Sequence, residues 1–186
     1  MTIEQINEQV KKTLSEKRYY HSLCVMERCE ELANHYKQDI EEAKKGGILH
    51  DIAKDMSEEE KIAYAKENKI EMNIVEKTHV GLLHAKIGAD IAKKQFGYTD
   101  KMCQAIKFHT TGGQAMTMLD KILYVSDAIG KDLTWNDVKQ VHQMALEDIN
   151  SATLYILNLE ITNKMEENKM IHPDSIFARN ELLLGN

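Results

Sequence analysis

The stretch Gly46-Gly-Ile-Leu-His-Asp-Ile-Ala-Lys54 sets an imidazole and a carboxylate side by side in a run of small and apolar residues. Such a run predicts a dry helix, where burying an unpaired polar group costs roughly 2–7 kcal/mol. Successive side chains on a regular helix lie about 100° apart, so His50 and Asp51 converge only at a helix end or on an ion between them. Because this dipeptide is common by chance, its surroundings must decide between a metal site and a hydrogen-bond network.

The rest of the chain has the pattern of an all-α protein. Apolar residues recur at helical spacing, and the only proline is Pro173. Helix-capping pairs, in which a Ser, Thr or Asp precedes a Glu or Gln by three residues, mark three helix starts: Thr2 with Gln5, Asp39 with Glu42 and Ser57 with Glu60. We expect a surface connection at 68–78 and helices near 3–16, 18–36, 40–52, 58–67, 79–95, 100–110, 116–128, 137–148, 150–167 and after Asp174.

Length, charge and cysteine content exclude several classes of protein. The 186 residues suit one domain, and the net charge of −6 argues against binding a nucleic-acid polymer or an anionic membrane. Uncharged stretches reach about a dozen residues, short of the roughly 20 that cross a bilayer. The three cysteines form no CxxC pair, so we expect reduced, buried thiols and a cytoplasmic location.

Two further residues place ligand-type side chains on otherwise apolar helix faces. His21 follows Arg18-Tyr-Tyr, and Asp127 continues the face of Leu119 and Leu123 at spacing i, i+4, i+8. Taken singly, each is more often a capped or hydrogen-bonded core residue than a ligand. In the order His, His-Asp, Asp they favour one shared metal site, and this mixed ligand set suits iron, manganese or a similar divalent ion.

The sequence neighbours of the other six histidines predict different positions for them. His84 shares a helix side with Val80 and Ile87, and His109 shares one with Ala105. These two could hold a second metal ion, bind a phosphate or pack as plain core residues. The remaining four are expected at the rim (His79), on the surface (His35 and His142) and as a cap of local backbone (His172).

The order of these residues resembles the HD-domain superfamily of metal-dependent phosphohydrolases, which are all-helical bundles. A narrower resemblance, to the bacterial YqeK group, covers roughly residues 15–181 and predicts a single HD domain over 1–186 with its core in that range. It rests on six ordered motifs: Arg18-Tyr-Tyr-His, Leu49-His-Asp-Ile-Ala-Lys54, Leu83-His-Ala, Ala105-Ile-Lys-Phe-His-Thr-Thr-Gly112, Met118-Leu-Asp-Lys-Ile-Leu-Tyr-Val-Ser-Asp127 and Ala178-Arg-Asn180.

Members of that group are symmetrical diadenosine-tetraphosphate hydrolases, which cleave their substrate into two ADP with iron in the site. The resemblance implies four metal ligands: His21, His50, Asp51 and Asp127. It also places these residues around the nucleotide: Arg18, Lys54, His84, His109 and the segment Ala178-Arg179-Asn180. From the chemistry of the residues we expect the reaction to be carried by Asp51, Lys54, His84 and His109, with Asp51 also orienting the attacking water. His21 and Asp127 are expected to contact the substrate as well.

One segment departs from the pattern of the group. The group usually carries Ile-Glu-Pro-x-Arg after the last metal-binding Asp, whereas this chain has Ile129-Gly-Lys-Asp-Leu133. Lys131 is expected to supply part of the positive charge that the arginine of the pattern offers to the substrate. A lysine cannot form the two parallel hydrogen bonds to a phosphate that the planar guanidinium of an arginine forms. The departure keeps two alternatives open: an HD phosphohydrolase of a mononucleotide or signalling nucleotide, and a catalytically weak nucleotide-binding or sensing protein. A homodimer is compatible with each of them.

Overall fold

The computed structural model describes residues 1–185 and contains no strand in that range, which confirms the all-α prediction. Within these residues eleven α-helices follow one another through short connections, and one turn of 3-10 helix, Val80–Leu82, leads into the sixth. Their bounds are α1 Ile3–Thr13, α2 Glu16–His35, α3 Ile40–Leu49, α4 Glu58–Glu67, α5 Ile74–Thr78, α6 Leu83–Phe96, α7 Asp100–Phe108, α8 Met118–Ala128, α9 Val138–Glu147, α10 Ile149–Glu166 and α11 Pro173–Leu183.

Side-chain caps begin the helices where the sequence predicts them. Thr2 and Ser57 each accept from the backbone N–H three residues on, and the Gln5 and Glu60 side chains return a bond to the capping residue. Asp39 caps α3 in the same way, accepting at 2.8 Å. These caps satisfy backbone donors that the first turn of a helix leaves open.

The helix that carries the His50-Asp51 pair ends earlier than predicted. It stops at Leu49, so His50 is its C-cap and Asp51 lies in the following turn. The buried Lys61 holds this turn by donating to the Lys54 carbonyl at 3.0 Å. The His50 backbone keeps helical angles, and the Ile52 and Lys54 N–H groups donate to carbonyls three residues earlier, so tight turns continue the path of α3.

Helices α2 and α3 approach each other closely at Gly47. A Cβ at this position would lie 2.7 Å from the Cα of Met26, which is backbone and cannot yield. The neighbouring Gly46 differs, because a Cβ there would meet Leu123 Cδ2 at 3.6 Å, an ordinary contact. The glycine at 47 thus brings the end of α3 to the face of α2.

One apolar core runs through the described chain from Ile6 in α1 to Ala178 in α11. Val25, Leu49 and Ile106 are fully buried in it, and they belong to the helices that carry the site residues. In residues 1–185 we find no helix with the length and apolar character needed to span a membrane.

The stretch 68–78, expected as a surface connection, contains the short helix α5, so that prediction is wrong. Asn73 caps the helix, and Glu76 is buried. The Glu76 carboxylate accepts from the Lys86 ammonium at 2.7 Å and lies 3.6 Å from His172 Nε2. Lys86 lies on the next long helix and His172 near the other end of the chain, so hydrophobic periodicity gives no sign of these contacts.

Replacing Gly47 with Ala should destabilise the protein by about 1–3 kcal/mol, because the added methyl group forces the α2 backbone to move. Gly46→Ala is the matched control and should be neutral or stabilising by up to about 1 kcal/mol, since alanine favours the helix. Urea unfolding measures both variants. Equal stabilities would contradict this description of the helix crossing.

The Glu76 contacts predict a stability that depends on pH. Burial opposes the charged carboxylate, but His172 and Lys86 outweigh it and lower the pKa of Glu76 to about 2. A group whose pKa is depressed by folding stabilises the protein above its unfolded pKa of about 4.3 and loses that contribution as the pH falls. We expect Glu76→Gln to reduce the free energy of unfolding at neutral pH by about 2 kcal/mol.

The difference between wild type and Glu76→Gln should shrink from about pH 5 downward and be small near pH 2. Urea unfolding across this range measures it, and the exposed Glu71→Gln serves as the control that should follow the wild type. A constant difference at every pH would show that the Glu76 charge contributes nothing.

Candidate metal centre

Three elements bring the predicted metal ligands together: α2, the turn after α3, and α8. His21 Nε2 lies 2.9 Å from Asp127 Oδ1, and His50 Nε2 lies 3.3 Å from the same oxygen. Asp51 Oδ2 lies 3.4 Å from His50 Nε2. Ligand atoms of His21, His50 and Asp127 all fall within 4.8 Å of one another. His50 thus belongs to two groups of possible ligands, one with His21 and Asp127 and the other with Asp51 and His109.

Backbone carbonyls fix the rings of three histidines at the centre. The Nδ1 atoms of His50, His84 and His109 lie 2.7, 2.6 and 2.6 Å from the carbonyl oxygen three residues earlier. A carbonyl oxygen only accepts, so each Nδ1 carries the proton. In the neutral ring the Nε2 atom then offers a lone pair, and all three Nε2 atoms face Asp51.

Two buried atoms of the centre, His50 Nε2 and Asp51 Oδ1, have no hydrogen-bond partner among the described residues. His50 is 0% exposed and Asp51 is 2% exposed. Unpaired polar atoms at such depth are costly. A divalent cation satisfies an imidazole nitrogen and a carboxylate oxygen at once, and the mixed set is one that first-row transition metals bind. The residues therefore fit a metal ion.

A second group of side chains surrounds Asp51. Its Oδ1 lies 3.2 Å from His84 Nε2 and 3.5 Å from His109 Nε2, and these nitrogens lie 3.1 Å apart. Lys54 Nζ lies 3.8 Å from the same Oδ1 and 3.2 Å from His84 Nε2. Arg18 Nη1 donates to Asp51 Oδ2 at 2.8 Å. We call Arg18, Lys54, His84 and His109 the basic wall.

The charges of the centre move its pKa values in opposite directions. Burial opposes a charged His50, but Asp51 and Asp127 outweigh it and raise the pKa of His50 to about 10. Burial also opposes the two ionised carboxylates, yet the neighbouring histidines hold the pKa of each well below its usual range. Burial, with His109 and Lys54 adding to it, lowers the pKa of His84 to about 4. Near neutral pH the metal-free centre thus has charged carboxylates, a charged His50 and a neutral His84.

A cavity of about 330 Å³ adjoins the centre at Thr110. The Thr110 Oγ1 lies 3.1 Å from His109 Nε2 and 3.3 Å from His84 Nε2, and the same residue lines the cavity. The volume falls at the lower end of the range for small-molecule sites. Other lining residues combine apolar walls with two lysines: Leu82, Ile161, Lys164, Lys169, Met170 and Ile171.

The remaining predicted substrate residues make other contacts. Lys131 is exposed, and its ammonium pairs with Glu27 at 2.6 Å. In α11, Ala178 is buried, Arg179 Nε donates to a side chain of α10 at 2.6 Å, and Asn180 is exposed. Within residues 1–185 no hydrogen bond or ion pair joins these four to the histidines, so their role toward substrate stays a prediction.

The peripheral histidines follow the sequence with one exception. His35 is exposed, and His79 lines the cavity at its rim. His172 caps α11 as predicted and is also buried. The surface prediction for His142 is wrong, because its side chain is half-buried with Nε2 3.0 Å from the Glu31 carboxylate.

The sequence analysis does not identify two residues at the centre, Asp132 and Thr110. Asp132 Oδ2 lies 2.8 Å from the Nδ1 of His21. Thr110 lies between the histidines and the cavity, and its position directly after His109 is the only sequence signal for it. For Asp132 the signal is an acidic residue inside the segment that departs from the group's pattern.

A helical scaffold that gathers a His, a His-Asp pair and a distant Asp around one point defines a metal-binding HD domain. The sequence profile of the HD domain family matches residues 18–132, a range that contains all four of these residues. The chain belongs to the HD domain family.

Relatives that span nearly the whole chain agree with this assignment. A protein of Halalkalibacterium halodurans named bis(5'-nucleosyl)-tetraphosphatase, symmetrical, is 35% identical, with 94% of each chain covered. A protein of the same name from Bacillus subtilis is 31% identical, with 95% of each covered. A crystal structure from Clostridium acetobutylicum, described as a predicted HD superfamily hydrolase involved in NAD metabolism, matches with a TM-score of 0.95 at 33% identity, covering 100% of this chain and 99% of that one.

Protein purified without chelator should contain a divalent metal, and His50→Gln should lose most of it, since the substitution removes a ligand from a buried set. His35→Gln is the control, because His35 is exposed. Elemental analysis of the three proteins decides the matter. A metal content of His50→Gln equal to that of His35→Gln would contradict the site.

Proposed function

We propose that this protein is a metal-dependent hydrolase that cleaves diadenosine tetraphosphate symmetrically into two ADP at the His50-Asp51 centre. The position of Asp51 is the observation that most supports this proposal. Its Oδ2 lies toward His50 and its Oδ1 toward His84, so the same carboxylate contacts the proposed metal ligands and the basic wall. The names of the two relatives, each covering at least 94% of this chain, support the substrate.

Four ligands would hold the ion: His21, His50, Asp51 and Asp127. We favour iron, with manganese or another divalent ion as the alternative, because two imidazoles and two carboxylates suit these metals. A bound ion of this kind lowers the pKa of a coordinated water and polarises a phosphoryl oxygen. A second ion would find ligands in Asp51 Oδ1, His84 and His109, whose atoms already lie together.

The basic wall would bind the tetraphosphate chain. The planar guanidinium of Arg18 is 30% exposed and suits two parallel bonds to a phosphate. The Lys54 ammonium is 35% exposed and lies 3.2 Å from His84 Nε2. Because the neutral His84 ring already donates through Nδ1, its Nε2 accepts from Lys54 and holds that ammonium in place. His84 thus positions the charge that Lys54 offers to the substrate.

One nucleoside half of the substrate would occupy the cavity that adjoins Thr110. Leu82 and Ile171 offer apolar surface to a base, and Lys164 and Lys169 offer positive charge beside it. The phosphates would then pass Thr110 on the way to the basic wall. Lys131 and the segment Ala178-Arg179-Asn180 belong to this proposal as contacts at the outer rim.

Product analysis tests the proposal. Metal-loaded protein should convert diadenosine tetraphosphate into ADP alone, and Asp51→Asn should abolish both turnover and metal binding. Equal amounts of ATP and AMP would contradict symmetrical cleavage. Faster turnover of a mononucleotide, a signalling nucleotide or NAD would favour a different HD phosphohydrolase. Tight ADP binding without turnover of any of these would favour a sensing protein.

Lys54→Met should lower kcat/KM for the dinucleotide by about 100-fold while the metal content stays constant, because the lysine neutralises phosphate charge without being a ligand. Lys66→Met, at an exposed lysine of α4, is the control. Steady-state kinetics with elemental analysis measure both. An unchanged kcat/KM in Lys54→Met would remove Lys54 from the mechanism.

We further propose that the protein acts in the cytoplasm, as a homodimer or as a single chain. The free thiols of Cys24, Cys29 and Cys103 support a reducing compartment. Light scattering at several concentrations tests the homodimer.

A further inference from the structure

We infer that Asp132 is a positioning residue for the metal centre, whose carboxylate turns the His21 ring so that Nε2 faces the ion. The inference rests on the metal site of the proposed function and adds a residue outside its ligand set. Asp132 Oδ2 lies 2.8 Å from His21 Nδ1, while Nε2 of the same ring lies 2.9 Å from Asp127 Oδ1. A carboxylate that accepts from Nδ1–H fixes the tautomer and makes the opposite nitrogen a better ligand.

His21 needs this partner because of its place in the helix. His50 and His109 are C-caps, and His84 is the second residue of α6 after the 3-10 turn, so each reaches a carbonyl three residues earlier. His21 lies inside α2, where the carbonyls serve the helix itself. The acceptor for its Nδ1 must therefore come from another part of the chain.

Gly130 provides the space that the Asp132 side chain occupies. A Cβ at Gly130 would lie 2.7 Å from Asp132 Oδ1 and 3.7 Å from His21 Nδ1. Cβ atoms essentially never come within 3.0 Å of another heavy atom, so a side chain at 130 and this placement of Asp132 exclude each other. The backbone of Gly130 is not left-handed, so space alone explains the glycine.

Two hydrogen bonds hold the segment that carries Asp132. The Leu133 N–H donates to the Gly130 carbonyl at 2.9 Å and closes a turn around Asp132. Trp135 Nε1 donates to the Ala128 carbonyl at 2.8 Å and ties the segment to the end of α8. Since α8 also carries a metal ligand, the turn and the ligand are placed by the same helix.

The open space at Gly130 and the placement of Asp132 are linked. The Asp132 carboxylate keeps its place beside His21 Nδ1 only while position 130 carries no side chain. We therefore expect Gly130 and Asp132 to depend on each other.

Binding of Mn²⁺ to chelator-treated full-length protein, followed by electron paramagnetic resonance, tests the inference. Asp132→Ala should weaken binding by about 10–100-fold, the usual effect of losing a hydrogen-bond partner of a metal-ligating histidine. Asp132→Asn should weaken it less, because the amide oxygen still accepts from Nδ1–H. Gly130→Ala should also weaken it, since the methyl group displaces Asp132. Asp137→Ala is the control, because that carboxylate accepts from Tyr155 and lies in the same segment.

NMR of the metal-free, nitrogen-15-labelled protein reports the His21 Nδ1–H bond independently of any metal. Because Asp132 and Asp127 face the two ring nitrogens, the wild type should show a downfield, slowly exchanging Nδ1–H signal that is lost in Asp132→Ala. A folded Asp132→Ala with wild-type Mn²⁺ affinity and an unchanged Nδ1–H signal would overturn the inference. If the wild type bound no Mn²⁺, the proposed function would fail, and the NMR result would still decide the role of Asp132.

Discussion

A buried imidazole beside a buried carboxylate is the constraint on which the rest of the structure depends. His50 and Asp51 lie at the end of α3, and each keeps one atom without a hydrogen-bond partner among the described residues. Neither group is stable in such a place without compensation. Other helices supply it: α2 and α8 contribute His21 and Asp127, which with His50 could hold a metal ion, and α6 and α7 contribute histidines around the second carboxylate oxygen.

Packing decides where this pair points. The glycine at position 47 lets α3 approach the α2 backbone, and the helix ends directly afterwards, so His50 faces His21 with ring centroids 5.6 Å apart. The turn after α3 continues its path, since the His50 backbone keeps helical angles. The close contact at Gly47 thus brings the His50-Asp51 pair to the face of α2.

Much of this arrangement can be predicted from the sequence, because it depends on local signals. Capping residues mark α1 and α4, and the order of His21, His50-Asp51 and Asp127 anticipates the residues that meet. What escapes prediction depends on distant partners. Helix α5 is stabilised by Glu76, whose ion pair with Lys86 cannot be seen in a short window of sequence.

The early end of α3 and the role of Asp132 also depend on contacts between distant residues and cannot be predicted from the sequence. The first depends on the turn that Lys61 holds, and the second on space left by a glycine. The domain limits of roughly 15–181 and the outer-rim roles of Lys131 and Arg179 stay predictions.

The charge of the chain agrees with this picture. The chain has a net charge of −6, yet Arg18 and Lys54 lie beside Asp51, so two positive charges stand in the small area that a polyphosphate would reach. The low pKa of His84 keeps its ring neutral, and this neutrality lets Nε2 accept from the Lys54 ammonium. An acidic protein can therefore bind a strongly anionic nucleotide at one place.

The central claim is that a metal ion occupies the point shared by His21, His50, Asp51 and Asp127. Anomalous diffraction from crystals of the full chain grown with Mn²⁺ tests it most directly. The account predicts one strong anomalous peak within bonding distance of all four side chains, with any weaker peak beside His84 and His109. A peak bound elsewhere, or none at this point in crystals that contain Mn²⁺, would contradict it.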